Sequence, residues 1–229
     1  MDIAPELFDE LKTSFETKYN VDSRIRSLLK KMESGRSTYV DANRYAIRCG
    51  ELLSQTFGVR IDVNALPDGT LYYNIADRTV RPMLENNYRL VADYCDSVQK
   101  TINRSAGLGL NPIRPEMNNS RIQGLVDLVS DGPYEEAKKF LKDPVINFSQ
   151  SVVDDSIESN AGFQYRAGLR PKIIRHAEFG ACPWCVDLEG EYDYPCDPAV
   201  YQRHENCRCI TEYEPGDGGA QDVWSKKWR

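Results

Sequence analysis

The residues that most constrain this chain lie near its end: Cys182-Pro183-Trp184-Cys185, answered about twenty residues later by His204-Glu205-Asn206-Cys207-Arg208-Cys209. C-x-x-C followed by H-x-x-C-x-C puts two sets of soft ligands on short turns with a hairpin-length insert between them, an arrangement that converges on one tetrahedral zinc. The gap within each pair lets both side chains face one ion while backbone amides of the turn face the sulfurs. Cys182, Cys185 and Cys207 belong to every arrangement of this kind. His204 and Cys209 compete for the fourth position: H-x-x-C mirrors the C-x-x-C turn, and C-x-C also chelates from a strand. If Cys209 binds, His204 supports the site through a hydrogen bond to a thiolate. Cys196, in the middle of the insert, is a weaker candidate. Four protein ligands leave no open position for water, so the expected zinc is structural, one per chain. It stabilises a hairpin whose own apolar residues are few.

Three other uses of these cysteines weigh less. A disulfide framework fits poorly with an odd count of seven. The opening Met1-Asp2-Ile3-Ala4-Pro5 has no basic stretch and no apolar run, so the expected compartment is a reducing cytosol. A redox C-x-x-C opens a helix inside a βαβ unit, whereas Val186-Asp187-Leu188-Glu189 before Gly190 is short for a helix and no βαβ pattern surrounds it. His176-Ala177-Glu178 ahead of Cys182 imitates a zinc deaminase. The gap from Glu178 to Cys182 is too short to hold the strand that separates the two halves in such enzymes.

The rest of the chain is of ordinary globular composition, with a net charge of −6. That balance argues against nucleic-acid binding over the whole surface, and no apolar run reaches the length of a membrane span. Up to about Phe163 the periodicity is helical. Leu7, Leu11, Phe15 and Tyr19 form one stripe. Asp22 caps a second helix with Ile25, Leu28, Leu29 and Met32 on one face. Tyr39, Ala42, Ala46, Cys49 and Leu53 make a third. The longest stripe is Leu84, Tyr88, Val91, Cys95, Val98 and Ile102, with Pro82 starting or kinking its helix. Cys49 and Cys95 lie on these stripes and read as core thiols. A short hairpin is expected at 59–63 and 71–73 around Asp68-Gly69.

Gly107, Gly109, Pro112 and Pro115 mark a loop or hinge. Helices resume at 121–130 and 134–141, and Asp143-Pro144 opens another to about Ser159, ended by Asn160-Ala161-Gly162. Arg170–His176, Glu191–Tyr194 and Cys207–Tyr213 read as a small antiparallel sheet. The expected fold class is mainly α: a helical region over 1–163, then a small α+β module over 164–215 with a zinc-stapled β-hairpin. A flexible tail follows over 216–229, ending in Trp224-Ser225-Lys226-Lys227-Trp228-Arg229 as an aromatic docking element or a loose end.

The order of the C-terminal pieces resembles the Mu F-like minor head proteins of tailed bacteriophages, the head morphogenesis family. The resemblance rests on the basic strand ending in Arg175-His176-Ala177-Glu178, on Cys182-Pro183-Trp184-Cys185, on Leu188-Glu189-Gly190, and on His204-Glu205-Asn206-Cys207-Arg208-Cys209. It covers about fifty residues. It implies a virion protein of the head, made in the host cytoplasm and present in several copies, whose partners are the portal and capsid proteins. In some family members the role extends to retaining or delivering DNA.

Consistent with a non-enzymatic role, the sequence has no Gly-rich phosphate loop, no Gly-x-Ser-x-Gly elbow and no His/Glu pair on a helix. Arg166, Arg170, Lys172, Arg175, Arg203 and Arg208 could meet phosphates of packaged DNA. They could equally form a solvated face, or offset the acidic insert Glu189, Glu191, Asp193 and Asp197, with Arg208 offsetting the thiolates beside it. Asp154, Asp155 and Glu158 are the nearest thing to a nuclease cluster and read as a wet helix face. A zinc-stabilised small enzyme and a zinc-hairpin nucleic-acid regulator are the rival readings.

Overall fold

Apolar residues at helical spacing become helices in the computed structural model, which describes residues 2–216. In chain order the helices are α1 (Ala4–Val21), α2 (Ser23–Glu33), α3 (Tyr39–Arg60), α4 (Tyr73–Ser105), α5 (Asn119–Ser130), the short α6 (Tyr134–Ala137) and α7 (Asp143–Arg166). Strand β1 (Lys172–His176), the short helix α8 (Pro183–Asp187) and strands β2 (Gly190–Asp193) and β3 (Ile210–Glu214) follow. The protein is therefore mainly helical with one small antiparallel sheet. None of the described helices is long and apolar enough to cross a membrane.

Local chemistry sets the helix starts. Asp22 caps α2 by accepting from the Ile25 N–H at 2.9 Å. At α3 the Asp41 carboxylate reaches back to the Thr38 N–H at 2.9 Å, the reciprocal half of a capping box. Asn118 caps α5 through the Arg121 N–H. The α3 stripe Tyr39, Ala42, Ala46, Cys49 and Leu53 is fully buried, as are Val91, Cys95 and Val98 of α4. Burial pushes the thiols of Cys49 and Cys95 up to about 12.

Two local expectations need correction, and two left open are decided. No hairpin forms at 59–63 and 71–73: α3 continues to Arg60 because Phe57 and Ile61 extend its buried face. Asp62 then caps a 3₁₀ turn, and Asp68 and Gly69, at φ 50° and 67°, turn the chain toward α4. Pro82 lies inside α4 rather than at its start. Helix α7 runs past Gly162 to Arg166 and ends at Gly168, whose φ of 92° lets the Leu169 N–H reach the Gln164 carbonyl. Gly162 answers a different need, since a Cβ there would sit 2.9 Å from the Tyr194 hydroxyl. The stretch 106–118 is a loop, but not a loose hinge. The Asn160 amide both donates to and accepts from the backbone of Ile113, Asn103 donates to Leu110, and Arg114 pairs with Asp93 and Asp96.

Contacts divide the chain into two compact units. Among the described residues, one unit comprises 2–29, 45–91 and 116–150; the other comprises 30–44, 92–115 and 151–216. The first is packed with Leu11, Phe15, Ile25, Leu53, Phe57, Leu71, Leu84 and Ile122. In the second, β1 is the central strand, antiparallel to both β2 and β3. Ile173 pairs with Tyr213, and Arg175 with Thr211, on the buried face. Behind that face runs a chain of buried hydrogen bonds. Asn43 donates to the Thr211 carbonyl, Tyr39 to Gln99, Gln99 and Gln164 to Asn103, and Tyr213 to Gln164. The small sheet is thus tied through polar groups to α3, α4 and α7 residues of the same unit.

Candidate metal centre

Two turns carry the soft ligands. Cys182 caps α8, with its carbonyl accepting from the Val186 N–H, and this one-turn helix brings Cys185 round to the same side. The sequence alone had made a helix here look too short to form. The second turn, His204-Glu205-Asn206-Cys207, closes by a Cys207 N–H to His204 carbonyl bond at 3.2 Å, with Asn206 in the left-handed region at φ 60°. Asn tolerates that conformation better than most residues because its short amide bonds locally.

The turns converge. Cys182, Cys185 and His204 form one triad of donor atoms, and Cys185, Cys207 and Cys209 form a second that shares Cys185. Zinc–sulfur bonds of about 2.3 Å at tetrahedral angles set two sulfurs about 3.8 Å apart, and Cys185 Sγ lies 3.8 Å from Cys207 Sγ. His204 Nε2 lies 3.2 Å from Cys182 Sγ and 3.1 Å from Cys185 Sγ, against about 3.6 Å for a nitrogen–sulfur edge of the same tetrahedron. His204 Nδ1 sits 2.6 Å from the Glu205 carbonyl. A carbonyl only accepts, so Nδ1 carries the proton and Nε2 presents a lone pair to the two thiols, the usual second contact of a metal-bound imidazole. All five expected ligands, Cys182, Cys185, His204, Cys207 and Cys209, are therefore brought together and could hold a metal ion. Cys196 is not in either triad; its thiol faces the Tyr201 hydroxyl at 3.8 Å.

Electrostatics around the sulfurs is uneven. Burial pushes the Cys185 thiol up to about 12, helped by its hydrogen bond with Cys209. Burial raises Cys207 too, but the backbone N–H of Cys209 and the charge of Arg203 outweigh it and hold that thiol below its ordinary value. None of the seven cysteines is in a disulfide. The antiparallel sheet is not the βαβ frame of a redox C-x-x-C, and His176 faces Glu212 at 2.7 Å, away from both triads.

Three side chains have roles the sequence reading missed. Arg175, expected among surface cations, is fully buried: Nη2 lies 3.8 Å from Cys185 Sγ and 4.0 Å from Cys207 Sγ, and it donates to the Gln202 carbonyl at 3.1 Å. Its Nη1 donates to the Val200 carbonyl. The signal was there, because strand alternation puts Arg175 on the face of Ile173. Arg203 is also buried, its fork on both oxygens of Asp154 at 2.5 and 2.8 Å. Asp154 is accordingly no part of a wet face, although Glu158 is exposed. Arg203 Nη1 donates to the Cys209 carbonyl, and Thr211 donates to Asp154, so this ion pair anchors the second ligand turn. Arg208 donates to the Cys207 carbonyl.

No protein-family model matches the chain, and neither a curated protein nor a solved structure is significantly similar to it.

Proposed function

We propose that the two turns hold one structural zinc, and that the chain is a non-enzymatic head protein of a tailed phage that acts beside the portal. The observation that carries the metal part is convergence. Two turns about twenty residues apart present thiols and one tautomer-fixed imidazole as two triads that share Cys185, at close to tetrahedral spacings. With four protein ligands the ion has no site for substrate water, so its work is to hold the hairpin together. The head-protein part rests on the resemblance in the order of the C-terminal pieces, over about fifty residues. Of the three carboxylates in the rival nuclease reading, Asp154 is committed to Arg203.

Partners in this reading are portal and capsid proteins, met in several copies in the virion head. Packaged DNA is a lesser partner, since burial removes Arg175 and Arg203 from the basic patch and leaves Arg166, Arg170, Lys172 and Arg208. Trp224 and Trp228, the expected docking tail, lie outside the described residues.

The test is co-purification with a portal ring, with metal measured on the same sample. The expected result is a stable complex carrying about one zinc per chain. Zinc without portal binding would sink the head assignment and leave the metal standing. Protein that binds portal but no zinc would do the reverse.

A further inference from the structure

The turn and helix around Cys182 and Cys185 also present exposed apolar surface. Glu178-Phe179-Gly180-Ala181 is a tight turn, closed by the Ala181 N–H on the Glu178 carbonyl at 2.9 Å, with Gly180 at φ 78°. Phe179 in this turn is fully exposed, and Trp184 and Val186 of α8 are 38 % and 52 % exposed. Three of the ten exposed large apolar side chains among the described residues thus fall within eight positions. Trp184 is also held in place: its ring stands 5.9 Å from that of His204 and 5.7 Å from the guanidinium of Arg175. Clustered aromatic surface that is already fixed in position suits docking. The setting is acidic. From His176 to Gln202 the chain has six carboxylates and no lysine or arginine. Glu178, Asp187 and Glu189 are exposed and have no cationic partner among the described residues.

We propose that this patch is the docking site for residues 223–229 of the same chain, Val223-Trp224-Ser225-Lys226-Lys227-Trp228-Arg229. The two tryptophans meet Phe179, Trp184 and Val186, and the three cations meet Glu178, Asp187 and Glu189. The proposal stands apart from the metal and head readings. Two observations select this occupant. The first is complementarity: one surface joins aromatic to acidic side chains and the other joins aromatic to basic ones, a match that also disfavours acidic partners. The second is reach. Strand β3 runs antiparallel to β1, so the chain leaves the sheet at Glu214 beside Lys172, the end away from Phe179. Lys172 to Phe179 is seven residues, at most about 25 Å, whereas the ten residues from Glu214 to Trp224 extend to about 33–36 Å. The segment therefore spans the gap with chain to spare. A tether this short keeps it near the patch at about millimolar effective concentration, so a contact weak between separate molecules suffices here.

The test is fluorine NMR of the full chain labelled with fluorotryptophan, beside a synthetic peptide of residues 217–229. The chain has three tryptophans and so gives three signals; Trp224→Phe and Trp228→Phe assign the two that belong to 223–229. Both should be shifted and broadened relative to the peptide, and about tenfold dilution should leave them in place, as a tethered contact requires. Phe179→Ser should return them to the peptide positions, as should the double variant Glu178→Lys, Asp187→Lys, and about 0.5 M salt should do so in part. The replaced side chains are exposed, so circular dichroism should show the fold unchanged. Replacing Trp224 and Trp228 by serine should in turn move the Trp184 signal, a readout that leaves the patch itself untouched and decides the matter should the patch variants misfold. Wild-type signals that coincide with those of the peptide would overturn the proposal and leave the patch to another molecule. Signals that revert on dilution would move the segment onto a second copy, and signals that neither patch variant restores would place it elsewhere; either result overturns the assignment.

Discussion

Asp154 and Arg203 meet where neither reaches water, with both side chains 3 % exposed. Such a pair has already incurred the desolvation of two charges, so removing one partner strands the other. Arg203→Met or Asp154→Ala should each cost about 3–5 kcal/mol of stability, and the double variant less than their sum, in urea denaturation followed by circular dichroism. Cys49 and Cys95 act through pH instead. Both thiols are held up to about 12 by burial, whereas an unfolded cysteine titrates near about 8.5. The folded chain then binds these protons more tightly, so their contribution is whole below about pH 8.5 and is lost as pH climbs toward about 12. The slope is up to about 1.4 kcal/mol per pH unit for each thiol. Replacing both by alanine should flatten the fall in stability between about pH 8 and about pH 10.

At the scale of elements, α3 contains a pair of glycines with opposite duties. A Cβ on Gly50 would meet the Ile146 Cα at 2.7 Å and the Ser149 Oγ at 2.8 Å, so Gly50 is where α3 lets α7 approach closely. Nothing lies within 4 Å of a Cβ on Gly58. Gly50→Ala should therefore destabilise by about 1–3 kcal/mol, while Gly58→Ala should stabilise by about 0.5–1 kcal/mol, both read as shifts of the urea midpoint. The stripes of α3 and α4, the Asp22 cap and the ligand turns were legible in the sequence because each depends on spacing along the chain. The hairpin expected at 59–63 was not there to be read. Its β-branched residues also fit the last turn of a helix, and only packing of Phe57 and Ile61 decides between the two. Gly162 misled for a related reason: a glycine needed for close approach to Tyr194 looks, in sequence, like one that ends a helix. Arg175 and Asp154 escaped because charge was weighed ahead of strand and helix phase, and their partners lie 10 to 49 residues away.

For the whole molecule, the unit that contains the sheet is held in two ways, by buried polar bonds to α3, α4 and α7 residues and by the proposed ion. The two should be separable. Stripping metal with a chelator should open 178–209 to protease while the far-ultraviolet helical signal persists, because what a structural zinc organises is local. Loss of most of the helical signal would show that the ion holds the entire unit.

The central place of β1 in its sheet also has a consequence in time. The strand is synthesised with only β2 close behind it, and its other neighbour, β3, is made at the very end of the described chain. Asn43, emerging early, waits 168 residues for the Thr211 carbonyl that it holds. On the ribosome, then, one edge of this sheet stays open until β3 has emerged, and a chain stopped short of residue 210 would display that open edge to the quality-control machinery of its cell.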